Sequence, residues 1–153
     1  LGAGTGLPGI VAALKGASVV QTDFIPDALI FCQENAAING AKTIRQVLAD
    51  WRDFQIPDLY PLIFGSDILY EPMLHSNLVD IMKRKLAPGG RILIADPGRK
   101  TVLQFLEMAE ANGFTWNVEE ILVPWAPDLY PSGQGSKTPA TIDILELSRK
   151  TET

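Results

Sequence analysis

Segments of helical and strand period alternate along this chain, and that alternation constrains its fold more than any other feature. Leu7, Ile10, Val11 and Leu14 recur at i, i+3, i+4 and i+7, which predicts a helix over 6–15. A β-rich run follows at 17–22. A second helix is expected over 27–39, with Ala28, Phe31, Cys32 and Ala36 inward and Gly40 as its stop. Strands are expected at 44–49 and 61–66. A helix over 71–86 carries Leu74, Leu78, Ile81 and Met82 on one face. Pro88-Gly89-Gly90 marks a turn before a buried strand at 91–95. A helix over 101–112 with Val102, Phe105, Leu106 and Ala109 inward ends at Gly113. Two strands, 114–123 and 141–148, close the chain with no helix between them. The pattern predicts an α/β fold: a doubly wound, mostly parallel sheet with helices on both faces, closed by an antiparallel β-hairpin.

The 153 residues suit one domain, and 46% hydrophobic with 20% charged residues is ordinary for a globular chain. No apolar run approaches the ~20 residues that cross a bilayer, and no secretory leader is visible, so no membrane partner is expected. The formal net charge of −5 argues against nucleic acid as a partner. Lys83, Arg84 and Lys85 form the densest basic cluster, which reads as a helix end complementing its dipole. One cysteine, Cys32, cannot form an internal disulfide, which fits a reducing, cytoplasmic setting. With a single histidine besides, no metal site is expected.

Ligands of such sheets bind outside the carboxyl ends of the strands. Gly2-Ala3-Gly4-Thr5-Gly6 stands directly before the first helix. Glycines let backbone approach a ligand closely, and the helix N-terminus behind them offers free N–H groups. Gly4, Gly6 and Gly9 also satisfy the dinucleotide spacing G-x-G-x-x-G. Asp23 ends the next strand, where a carboxylate can accept both ribose hydroxyls, while Asp27 suits the helix cap. Phe24 offers a ring to an adenine or to the core. After the third strand, Asp50 can accept from an adenine amino group and Trp51 can cover the ring. After the fourth come Ser66, Asp67 and Tyr70, a carboxylate and a phenol three residues apart at the middle of the ligand edge. Asp96-Pro97-Gly98-Arg99 reads as an ordinary loop, His75 as a surface residue, Cys32 as core, and the Pro/Gly/Ser-rich stretch 125–139 as a candidate substrate lid.

The stretch LGAGTGLPGIVAALKGASVVQTD resembles motif I and the following acidic strand of class I, seven-β-strand S-adenosylmethionine (SAM)-dependent methyltransferases. Leu86-Ala87-Pro88-Gly89-Gly90-Arg91 resembles the turn before their fifth strand. GSDILYE resembles the Asp-x-x-Tyr motif of the branch that contains protein-lysine methyltransferases and many bacterial relatives. The resemblance implies a Rossmann-like sheet of order 3-2-1-4-5-7-6. It implies SAM as cofactor and S-adenosylhomocysteine (SAH) as product. It implies that Gly2, Ala3 and Gly4 contact SAM, Asp23 binds its ribose, and Trp51 and Ser66 line the adenine and methionine portions; from the strand-end reading Thr5, Gly6, Phe24 and Asp50 join the expected cofactor site. It also implies that Leu1 is the last residue of the central strand, so that the chain is an N-terminally truncated fragment of a single SAM-binding domain.

Methyl transfer from a sulfonium needs positioning of the nucleophile rather than a metal. A lysine nucleophile must first lose its proton, and a dry channel eases that. Asp67 is expected to orient the amine and assist deprotonation, and Tyr70 to face the cationic centre. The substrate is then a protein lysine. A small-molecule amine is the alternative, and an NAD(P)-dependent oxidoreductase using Gly4, Gly6 and Gly9 is a more distant one.

Overall fold

The computed structural model describes residues 1–123 and 139–150. The expected lid therefore lies, Pro139 apart, outside the described residues. Among the described residues no helix is long and apolar enough to cross a membrane.

The first half is a small α/β unit. Helix α1 (Leu7–Leu14) leads to strand β1 (Val19–Asp23), helix α2 (Pro26–Ile38) and strand β2 (Ile44–Leu48). The two strands pair in parallel, Val19 opposite Ile44 and Asp23 opposite Leu48. Both helices have proline in their first turn, where its missing N–H costs nothing.

Strand β3 (Tyr60–Ser66) opens the second half. A 3-10 turn (Pro72–Leu74) precedes helix α3 (His75–Lys85), followed by β4 (Leu86–Asp96), helix α4 (Thr101–Ala111), β5 (Phe114–Val123) and β6 (Ala140–Arg149). These strands form a four-stranded sheet of order β3-β4-β6-β5. β3 runs parallel to β4, and β6 runs antiparallel to both β4 and β5. Neighbours within each sheet are those the resemblance implies. The single continuous sheet is not formed, because no strand lies between β1 and β3 among the described residues. Leu1 and Ala3 bond across that gap: Leu1 N–H donates to Phe64 O at 2.8 Å, and Ala3 N–H donates to Thr22 O at 2.9 Å. A second, smaller apolar cluster of Ala49, Phe54, Ile56 and Ile81 packs against Val20 and Val47 on one side and Tyr60 on the other.

The main core belongs to the four-stranded sheet. Leu78 and Met82 of α3, Ile92 and Ile94 of β4, Phe105 of α4 and Leu145 of β6 are all fully buried there. The basic end of α3 is a solvated helix terminus, as its sequence suggests. Arg84 pairs with Asp80 at 2.7 Å, and Arg149 donates to the carbonyls of Lys83 and Leu86 at 2.6 and 3.0 Å.

Several expectations need correction. Phe31 is exposed rather than inward, and of the periodic residues of α1 Ile10 is buried while Leu7, Val11 and Leu14 are exposed. Beside Ile10 the first two helices bury small residues, Gly9, Ala13, Cys32 and Ala36, which lets them sit close on a narrow sheet. The helix expected from position 71 becomes α-helical only at His75, because Glu71 is extended before Pro72. β4 begins at Leu86 rather than Arg91. It bulges at Pro88–Gly90, where Gly89 takes φ 70° and a Cβ on Gly90 would lie 3.0 Å from Pro61 O.

Candidate active site

The carboxyl ends of β1, β3 and β4 and the leading segment Leu1–Gly6 meet along one edge. Gly2, Gly4 and Gly6 all take left-handed φ, at 58°, 53° and 89°. At Gly2 the requirement is doubled: a Cβ there would lie 2.9 Å from Ile68 Cγ2 and 3.2 Å from Trp51 Cζ2. At Gly4 a Cβ would meet nothing within 4 Å, so this side of the loop is open. The glycine segment therefore packs on one side against the Asp67–Tyr70 loop and Trp51, and leaves its other side free.

Asp23 anchors the loop. Its Oδ2 accepts Gly4 N–H at 2.9 Å and its Oδ1 accepts Ile25 N–H at 3.0 Å. It is nearly buried, at 7% exposure, yet each oxygen keeps capacity for a further donor such as a ribose hydroxyl. The turn into α2 is thus tied by Asp23, while Asp27 contributes only charge to the first turn. Three supports escaped the sequence reading. Gln21 is buried in β1 and donates from Nε2 to Gly6 O at 2.7 Å. Asn35 Nδ2 donates to Thr5 O at 2.9 Å, and Cys32 Sγ donates to Gly4 O at 3.3 Å. Burial pushes the Cys32 thiol up, which keeps it protonated as a donor. A buried glutamine facing a glycine-before-helix was the one available signal. Gly9 belongs to the same contact, since a Cβ there would collide with the Gln21 side chain. The third glycine of the dinucleotide spacing therefore serves helix-on-strand packing.

Phe24 is exposed rather than core, and it shares a shallow depression with Val47, Ala49 and Asp50. Asp50 is held by Arg52, whose Nε donates to both its oxygens at 2.9 and 3.1 Å, and this hydrogen-bonded pairing lowers its carboxyl to about pKa 2. Trp51 is half-buried and packs against both apolar clusters, with its ring over Gly2.

The segment after β3 alternates in its environment. Ser66, Asp67 and Tyr70 are exposed, whereas Ile68 and Leu69 are buried. Asp67 has φ 59°, the one left-handed non-glycine residue among those described, and its N–H donates to Ala95 O at 2.8 Å. The buried pair fastens the loop, so Asp67 and Tyr70 are presented on its outer side. Leu69 O accepts from His75 Nε2 at 3.1 Å and from Thr101 Oγ1 at 2.9 Å. His75 is therefore no surface residue: it is fully buried, stacked edge-on against Phe105 at 5.4 Å, and its Nδ1 has no partner among the described residues. Asp96 is buried as well and is tied to Arg99, so the segment after β4 is more than an ordinary loop.

A cleft of about 460 Å³ runs between the facing edges of β1 and β3, from Thr22 and Ser66 at their carboxyl ends toward Ala17 and Tyr60. It adjoins the glycine segment but lies along the strands rather than at their ligand edge.

Residues 1–112 match a family described as lysine methyltransferase. The chain is 36% identical over 104 residues to EEF1A lysine methyltransferase 3 of Mus musculus, covering 65% of this chain and 44% of the relative. It is 30% identical over 132 residues to the histone-arginine methyltransferase METTL23 of Xenopus laevis, covering 82% and 51%. It is 46% identical over 79 residues to the protein N-lysine methyltransferase METTL21A of Danio rerio, covering 46% and 35%. The chain thus spans about half the length, or less, of these curated relatives. Among solved structures, a ribosomal protein L11 methylase from Lactobacillus delbrueckii subsp. bulgaricus superposes with TM-score 0.72 at 20% identity, covering 98% of this chain and 68% of the other. A precorrin-6y C5,15-methyltransferase from Geobacter metallireducens superposes with TM-score 0.75 at 19% identity, covering 98% and 78%. At such identities these two speak for the fold, Rossmann-like α/β, as expected.

Proposed function

Because the chain belongs to the lysine methyltransferase family, we propose that its protein moves a methyl group from SAM to the side-chain amine of a protein lysine. One observation carries this reading: the glycine segment and the Asp67–Tyr70 loop touch, Gly2 against Ile68, so a cofactor cradle and a pair of exposed polar side chains share one edge. The open side of Gly4 and the spare capacity of Asp23 fit SAM. Gly2, Ala3, Gly4, Thr5 and Gly6 would hold it, with Asp23 at the ribose and Phe24, Asp50, Trp51 and Ser66 nearby. The oxidoreductase reading is set aside with the family assignment.

Bound SAM supplies an electrophilic methyl group on a sulfonium. The residues of this chain act on the amine. Asp67 accepts a hydrogen bond from it and orients it, and Asp67 takes part in removing its proton before attack. Tyr70 turns its ring to the cation, an attraction that grows as water is excluded. A free lysine holds its proton to pKa ~10.4, so desolvation of the amine is part of the task. The lone thiol suits a reducing, cytoplasmic setting for such an enzyme.

The test is incubation of the whole natural protein with methyl-labelled SAM and a lysate of its own organism. Label in a discrete protein band, released as methyl-lysine on hydrolysis, is the expected result. Methyl-arginine, or label confined to small molecules, would refute the lysine assignment. Asp67→Ala and Tyr70→Ala should cut turnover roughly 100-fold while SAH affinity holds.

A further inference from the structure

Asp96, the last residue of β4, is 1% exposed, and both its oxygens accept from Arg99. Oδ1 takes the Arg99 backbone N–H at 2.8 Å and Oδ2 takes Nη1 at 3.0 Å. The same Nη1 reaches Asp67, whose side chain is 61% exposed. Asp143 of β6 stands opposite Asp96 in register, and a Cβ on Gly98 would lie 3.7 Å from its Oδ2. The Arg99 guanidinium therefore sits between the carboxylates of Asp67 and Asp96, on the edge where Asp67 and Tyr70 are presented.

We infer that Arg99 is a positioning residue that holds Asp67 in place while the site is empty and yields it to the ammonium of an incoming substrate. This rests on the assignment of Asp67 above. The two pairs of Arg99 are unequal. Its bond to Asp96 compensates a buried charge, and breaking it is costly. Its bond to Asp67 is exposed, and exposed ion pairs are weak. An arriving ammonium can thus displace Arg99 from Asp67 without stranding any buried group. Until then Arg99 restrains an exposed carboxylate on a residue with left-handed backbone. The Asp67 carboxylate, and behind it Asp96, push the Arg99 guanidinium above its usual range, so it remains a cation throughout. Asp96 offsets the positive charge of the guanidinium when the ammonium is also present. Lysine at 99 would keep the charge but lose the planar guanidinium whose Nη1 meets both carboxylates.

The test measures initial rates on the lysate protein labelled in the experiment above, with SAH affinity by calorimetry. Arg99→Gln strands the Asp96 charge, so the double variant Asp96→Asn/Arg99→Gln, which leaves a neutral pair, is measured beside it. The expected result is SAH affinity within about twofold, kcat lower by roughly 10- to 100-fold, and a lower KM for the protein substrate, since Asp67 no longer has a competitor. Arg99→Lys should recover part of kcat. A merely structural role would reduce kcat and the SAH-binding fraction together and leave KM unmoved, and that result overturns the inference. So do wild-type constants in the double variant. A wild-type protein that labels no protein, or Asp67→Ala with full turnover, removes the underlying reading and this inference with it.

Discussion

The two sheets are held together by different means. The four-stranded sheet encloses a continuous apolar core between α3, α4 and the strands, with Phe105, Phe114 and Ile94 fully buried. The β1–β2 unit has a smaller one, Ala49, Phe54 and Ile56 with Ile81 of α3, against which Val20 and Val47 pack. β2 has no buried residue, and Ile30, Phe31 and Ile38 of α2 face outward. What fixes its glycine segment is a set of hydrogen bonds, from Asp23, Gln21, Asn35 and Cys32, and a backbone only glycine adopts readily. Packing therefore supports the half that presents Asp67 and Tyr70, and polar contacts support the half that presents Gly4. The lesson is that a glycine segment of this kind does not need a large core beneath it. It needs its own carbonyls and amides accounted for.

The strongest way to break this comparison is Phe105→Ala. Removing a fully buried ring that also backs His75 should cost about 3–5 kcal/mol, read as a fall in the urea midpoint. SAH should still raise that midpoint, and a folded variant that no longer responds to SAH would show the halves to be inseparable. Next comes Gly2→Ala, where left-handed backbone and the collision with Ile68 act together. SAH affinity should fall by about 2 kcal/mol, or ~30-fold. Gly4→Asn sharpens the point, because asparagine tolerates that backbone and the space is open, so its loss of affinity should be smaller. Gln21→Leu should cost about 1 kcal/mol by leaving Gly6 O without its buried donor. A larger loss of SAH affinity than of stability would place Gln21 in the cradle rather than beneath it.

The smallest effect is expected from Asp50→Asn. Arg52 depresses the Asp50 carboxyl to about pKa 2 in the folded chain. A depressed carboxylate contributes stability above its unfolded value, about 3.9, and the contribution disappears as pH falls through the folded value. The variant and the natural protein should therefore differ slightly at neutral pH and converge toward pH 2. The pair is exposed, so added salt should erase the difference. A difference that persists in acid would assign Asp50 a role apart from its charge.

Local signals were legible in the sequence. The glycine run, Asp23 and the Asp67–Tyr70 spacing are each carried by a few adjacent residues, and the structure brings them to one edge. The α/β alternation was legible for the same reason. What sequence periodicity could not supply were pairings across distance. His75 reads as an exposed residue near a helix start, but its ring is drawn inward by Leu69 O and Phe105. Arg99 reads as a loop cation until Asp96 is seen to be buried. Phe31 of α2 was misassigned because helical period ranks apolar size, while the narrow sheet takes Cys32 and Ala36 for close approach.

Leu69 O, which accepts from both His75 and Thr101, has a consequence for how this site changes over generations. The two donors grip the backbone one residue before Tyr70 and make no demand on the Tyr70 side chain. A substitution at 70 therefore acts through the side chain alone, while the loop that carries it stays put. What is selected at that position over generations is what the side chain does and not what the fold needs, so a loss there spares the scaffold.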